Sequence, residues 1–178
     1  TKTITTGDGG MVVASDEALL RRMELMRSHG FDRGAWDRYT SRTASWRYDV
    51  VEAGYKYNLP DLLAAVGREQ LKKADLFLEQ RRAIAARYDE AFAGHPALEA
   101  PPRGPAHAWQ LYSLGLRPGP LRIGRDEFAQ RLMDSGVGIS VHFIPLHLMT
   151  YWSRRYGLEP GDFPEAFGRY SRVVSLPI

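Results

Sequence analysis

Three places in this 178-residue chain carry side chains that could do chemistry. Lys2 opens the run Lys2-Thr3-Ile4-Thr5-Thr6-Gly7-Asp8-Gly9-Gly10. A lysine amine that is desolvated and neutral can form an imine with a carbonyl carbon and then shuttle a proton. By residue type alone, Lys2 near a terminus is an ordinary solvated charge. Lys56 and Asn58 stand in Gly54-Tyr55-Lys56-Tyr57-Asn58-Leu59-Pro60-Asp61. Asn58 is placed to act as N-cap of a helix opened by Pro60. Farther on, His142-Phe143-Ile144-Pro145-Leu146-His147 sets two histidines five apart. This is not metal-site spacing: a helical pair stands at i, i+4, and no carboxylate pattern accompanies these two. Each histidine alone reads as a packing or surface residue, and no metal site is expected.

The elements that must carry these residues alternate along the chain. Met11 to Ala14 is a short apolar strand after the glycine turn. Ser15 caps a helix over 16–29, with Asp16 and Glu17 in its first turn, Leu19, Leu20, Met23 and Met26 at helical spacing, and Gly30 as its stop. His29 sits at the helix end as a positive group favoured by the dipole. Residues 31–53 are irregular and aromatic (Phe31, Trp36, Tyr39, Trp46, Tyr48), as loops with a function or an interface are. From Pro60 to Phe92 the pattern is helical, with Leu62, Leu63, Val66, Leu71, Phe77, Ile84, Tyr88 and Phe92 along one stripe. At 1.5 Å per residue this is about 50 Å, so it is kinked near 72–75, bridges two domains, or is a helical hairpin. Residues 95–106 are a Pro/Gly-rich connector. Strand 107–116, helix 124–135 and strand 137–143 then make a small α/β unit. Tyr151, Trp152 and Tyr156 form a short core-facing helix, and a last helix turns Phe163, Phe167, Tyr170 and Val174 inward.

Composition excludes several classes. The chain has no cysteine, so neither disulfides nor thiolate metal sites are available. Its net charge is +3, and the basic residues are scattered without an interleaved aromatic stripe. A nucleic-acid partner is therefore not expected. No apolar run approaches the roughly 18 residues of a membrane span, and the polar opening is not a signal peptide.

The opening run resembles the Lys-x-Ile-Thr-Thr-Gly-Glu-Gly-Gly segment of the DegT/DnrJ-type (StrS-like) sugar aminotransferases, which are fold-type I enzymes. Gly54 to Asp61 resembles their Gly-Tyr-Lys-Tyr-Asn-Met-Thr-Asp segment. His107-Ala108-Trp109-Gln110-Leu111-Tyr112 resembles their His-Ala-Trp-x-Leu-Tyr, and His142 to His147 their His-x-x-Pro-Leu-His. The resemblance implies an α/β chain with three parts. These are 1–59, the end of the large domain with a loop on the dimer seam; 60–94, a long bridging helix; and 95–178, a small C-terminal α/β domain. It implies pyridoxal 5'-phosphate as cofactor and Lys2 as the Schiff-base lysine. Relatives with Gly-Tyr-Asn-Tyr-Arg use the Asn and Arg on the cofactor phosphate of the neighbouring subunit. Here Lys56 and Asn58 occupy those positions, and a cation and an amide donor both suit a phosphate. His147, and more weakly His142, become substrate-side residues.

The implied reaction moves an amino group, with glutamate as donor, to a keto carbon of a nucleotide-linked sugar for polysaccharide or lipopolysaccharide biosynthesis. The implied enzyme is a cytoplasmic homodimer. The Gly-Tyr-Lys-Tyr-Asn motif is similar to the branch acting on UDP-4-keto sugars. The sugar dehydratases on this fold carry histidine where Lys2 stands. A non-catalytic regulatory or dimerisation relative is the alternative. The matching segments start one residue before a lysine that lies near the middle of such enzymes. The sequence is thus expected to be a fragment, inactive alone, without the acid for the pyridine nitrogen, the stacking ring and the first phosphate ligands.

Overall fold

The computed structural model describes residues 2–34, 40, 47–104 and 106–178. Trp36, Tyr39 and Trp46 of the aromatic loop lie outside the described residues. Two compact units make up the chain, Thr3–Lys73 and Ala74–Ile178.

In the first unit, α1 spans Glu17–Arg27 and α2 spans Asp61–Leu71. The cap of α1 is Asp16, one residue later than expected. Its carboxylate accepts from the amides of Ala18 at 2.8 Å and Leu19 at 3.1 Å, two donors that a helix start leaves orphaned. The C-terminal end of α1, with Arg27 in its last turn, is closed by backbone bonds. His29 turns left-handed at φ 63° and Gly30 follows at φ 72°. The Gly30 amide returns to the Leu25 carbonyl at 2.8 Å, and the His29 amide reaches the Tyr55 carbonyl at 2.8 Å. Tyr55 and Tyr57 donate in turn to the carbonyls of Met26 and Arg27, at 2.6 and 2.8 Å. The 55–57 segment is thereby laid along the last turn of α1. Two glycines permit it: a Cβ on Gly30 would strike the Glu52 carbonyl, and one on Gly54 would strike the backbone of His29 and Gly30. An Arg22–Glu52 ion pair at 2.6 Å reinforces the join and raises the arginine pKa.

Met11 to Ala14 does not form a strand, and Met11, Val12 and Val13 are exposed. Apolar alternation alone makes no strand; a ladder partner is required, and none of the described residues supplies one. The long helical stretch is interrupted at Lys72 and Lys73, where the first unit ends.

The second unit begins with α3, Ala74–Phe92, and then β1, Leu98–Glu99, and β2, Tyr112–Leu116. α4 (Arg125–Asp134), α5 (Thr150–Tyr156), α6 (Pro164–Tyr170) and β3 (Val173–Leu176) follow. The strands form one antiparallel sheet in the order β1-β2-β3, with Leu98 opposite Leu116 and Leu114 opposite Val174. Tyr112, Leu114 and Val174 are fully buried in its core, with Ala85 from α3 and Ala129 from α4.

Three expectations change here. The strand placed at 107–116 begins only at Tyr112, because Trp109 takes φ 51° and cannot continue a pleat. The strand placed at 137–143 reduces to a single bridge, Ser140 to Ser175. The ladder neighbour of β2 is β3, whose four residues are all buried. Tyr151, Trp152, Tyr156, Phe163 and Phe167, expected inward, are exposed, and Val174 is buried on β3 and not on a helix.

Candidate active site

Lys2 is exposed, in irregular backbone ahead of the glycine turn. Gly7 and Gly9 in that turn have φ of 85° and 153°. Thr6 Oγ1 donates to the Asp8 carbonyl at 2.7 Å, and the Gly7 amide donates to Thr5 Oγ1 at 3.0 Å. The segment after Lys2 is therefore a tight, self-bonded turn that a longer side chain at these glycines would strain.

Lys56 and Asn58 come together. Lys56 Nζ donates to Asn58 Oδ1 at 3.1 Å. This removes the capping role for Asn58: α2 starts at Asp61 after Pro60, with no side-chain cap. The backbone at Lys56 bridges to Ser28, so the pair is fixed by the end of α1. Both residues line a hollow of about 1090 Å³ within the first unit, together with Arg27, Glu24, Asp8 and the backbone of Gly9 and Gly10. Two cations and an amide donor suit an anionic oxygen group, and Lys56 keeps two ammonium protons beyond its bond to Asn58. This donor set fits a phosphate, against the two acids on the same wall.

The histidines of the second unit have different settings. His142 Nδ1 lies 2.9 Å from Ser175 Oγ, a bond that holds its ring to β3. His147 is 6% exposed, on a 3-10 turn over Leu146–Leu148, with its ring 4.9 Å from that of Phe163. Its Nε2 is buried without a hydrogen-bond partner among the described residues. An orphaned buried nitrogen costs about 1–3 kcal/mol, so a group that fills it gains that much in differential binding. Among the described residues no cluster of three or more His, Asp or Glu could hold a metal, and no helix is long and apolar enough to cross a membrane.

One cluster has no counterpart in the sequence reasoning. The Tyr112 hydroxyl donates to Asp89 Oδ1 at 2.6 Å, and Arg103 pairs with the other carboxylate oxygen. Burial first, then the hydrogen bond to Asp89, push the Tyr112 phenol well above its usual range. These residues lie on α3, the connector and β2, so no local spacing reveals them.

The chain belongs to the DegT/DnrJ/EryC1/StrS aminotransferase family, which matches it over residues 1–178. It is 43% identical to the uncharacterized protein MJ1066 of Methanocaldococcus jannaschii and 40% identical to the spore coat polysaccharide biosynthesis protein SpsC of Bacillus subtilis. Each match covers 100% of this chain and 46% of the relative, so the chain spans less than half their length. Among solved structures it is similar to Helicobacter pylori PseC, an aminotransferase of pseudoaminic acid biosynthesis. That match has a TM-score of 0.81 and 26% identity, and it covers 98% of this chain and 44% of that one. It is also similar to the putative sugar aminotransferase Spr1654 of Streptococcus pneumoniae in its PLP form. There the TM-score is 0.76 at 27% identity, over 94% of this chain and 40% of that one. The cofactor these findings indicate is pyridoxal 5'-phosphate.

Proposed function

We propose that the full-length protein transfers an amino group from glutamate to the keto carbon of a nucleotide-linked sugar, as a cytoplasmic homodimer, in the assembly of a cell-surface polysaccharide. The observation that carries this is the family match over the whole chain. Pyridoxal phosphate, when bound, supplies an aldehyde that captures amines and a ring that accepts electrons. Lys2 provides the primary amine that holds the cofactor covalently and then moves a proton at the substrate carbon.

Lys56 and Asn58 bind the cofactor phosphate, Lys56 by charge and Asn58 by its amide protons. Their mutual hydrogen bond presets both side chains and lowers the ordering cost of binding. His147 and His142, the latter oriented by Ser175, serve the sugar side of the site.

The test is the absorbance spectrum of the full-length protein with pyridoxal phosphate, beside Lys2→Ala. A visible band that requires Lys2 and is discharged by glutamate is the expected result. Absence of any Lys2-dependent band would remove the catalytic reading and leave a non-catalytic relative on this fold.

A further inference from the structure

The second unit has a hollow lined by cationic side chains. Between α3 and the connector before β2 lies a hollow of about 240 Å³, floored by Ala85 and Ala86 and walled by Arg82, Arg103, His107 and Trp109. The small floor residues leave the space open. Trp109 is 6% exposed and held at φ 51°, an uncommon conformation for a bulky side chain. Two bonds secure it: its amide donates to His107 Nδ1 at 2.9 Å, and its carbonyl accepts from Arg81 at 3.0 Å. The ring of His107 lies 4.2 Å from that of Trp109.

This geometry fixes donors around the hollow. Because Nδ1 of His107 accepts a hydrogen bond from the Trp109 amide, the ring proton sits on Nε2, as a donor. Arg103 places two nitrogens on one oxygen of Asp89, and the other oxygen accepts from Tyr112, so both oxygens of that carboxylate are engaged. One guanidinium nitrogen of Arg103 remains uncommitted. Arg82 is exposed and forms no ion pair with a described residue. The hollow is thus lined by two arginines and a histidine and by no acid, and Asp89 beside it is engaged by Arg103 and Tyr112. Arginine is the residue suited to planar or bidentate oxyanion recognition.

We propose that this hollow binds a small oxyanion of the phosphate class, either free phosphate or a terminal phosphoryl group. The site is separate in its residues from Lys56 and Asn58, so it operates whether or not that pair holds the cofactor phosphate.

The experiment is calorimetric titration of inorganic phosphate, and separately of methyl phosphate, into the full-length protein already saturated with pyridoxal phosphate. Arg82→Gln and Arg82→Lys are run beside the wild type. Arg82 is exposed, so neither change threatens folding. The expected result is saturable binding that weakens at least tenfold in Arg82→Gln and is only partly restored in Arg82→Lys, which keeps the charge but not the planar fork. Equal binding of the two probes assigns the site to a phosphoryl group, and preference for inorganic phosphate assigns it to the free ion. Saturable binding that is unchanged in Arg82→Gln, or no saturable binding in the wild type, overturns the proposal.

Discussion

His147 is the residue whose setting departs most from its cost in isolation. A buried nitrogen without a partner is retained at a price in stability, and function is the usual reason. His147→Phe keeps a ring against Phe163 and deletes the orphaned atom. The expected outcome, by urea denaturation, is stability equal to the wild type or higher by about 1–2 kcal/mol. Steady-state kinetics of the full-length protein should at the same time show a raised KM for the sugar or a lowered kcat. A loss of more than about 2 kcal/mol would instead mark a structural role for the nitrogen. Asn58 carries the complementary lesson. Its position before a helix marks it as a cap, yet its side-chain oxygen is taken by Lys56.

At the scale of elements, the close approach of Gly30 and Gly54 sets where Lys56 stands. The backbone bonds from His29, Tyr55 and Tyr57 fix the 55–57 segment on the end of α1 only while those two glycines touch. Gly54→Ala should therefore cost about 2 kcal/mol or more, since the collision is with backbone and not with a flexible side chain. Gly10→Ala is the control: a Cβ there meets nothing within 4 Å, and its stability should stay within about 0.5 kcal/mol of wild type. Equal effects in thermal denaturation would contradict the packing described for this join. The same scale accounts for Trp109. Its left-handed backbone delays the start of β2, and the delay opens the hollow beneath Arg82.

For the molecule as a whole, the second unit has the deeper core, and Tyr112 ties that core to α3 and the connector. Its phenol is raised above the unfolded value of about 10, so folding favours the neutral form. That contribution is complete below about pH 10 and is lost as pH climbs from there toward the folded value. Tyr112→Phe should cost about 1–2 kcal/mol at neutral pH through the lost bond to Asp89. Above pH 10 the variant should lose stability less steeply than wild type, by up to about 1.4 kcal/mol per pH unit. Urea midpoints at pH 8, 9.5 and 11 measure this, and parallel slopes would show that the phenol titrates no differently in the fold.

The sequence by itself determined the family, the helices and the chemistry expected of Lys2. Four ordered motifs and helical spacing are local properties, and local properties survive reading in one dimension. The length of the helical pattern from Pro60 left a kink near 72–75, a bridge and a hairpin open, and the structure interrupts it at Lys72 and Lys73. What tertiary structure decided was pairing. Whether Met11 to Ala14 becomes a strand, and whether 137–143 or β3 lies beside β2, depends on which backbone groups find partners far along the chain. The same holds for the site. The Lys56–Asn58 bond, the orphaned His147 nitrogen, and the meeting of Arg82, Arg103 and His107 follow from distances between elements, which spacing along the chain does not encode.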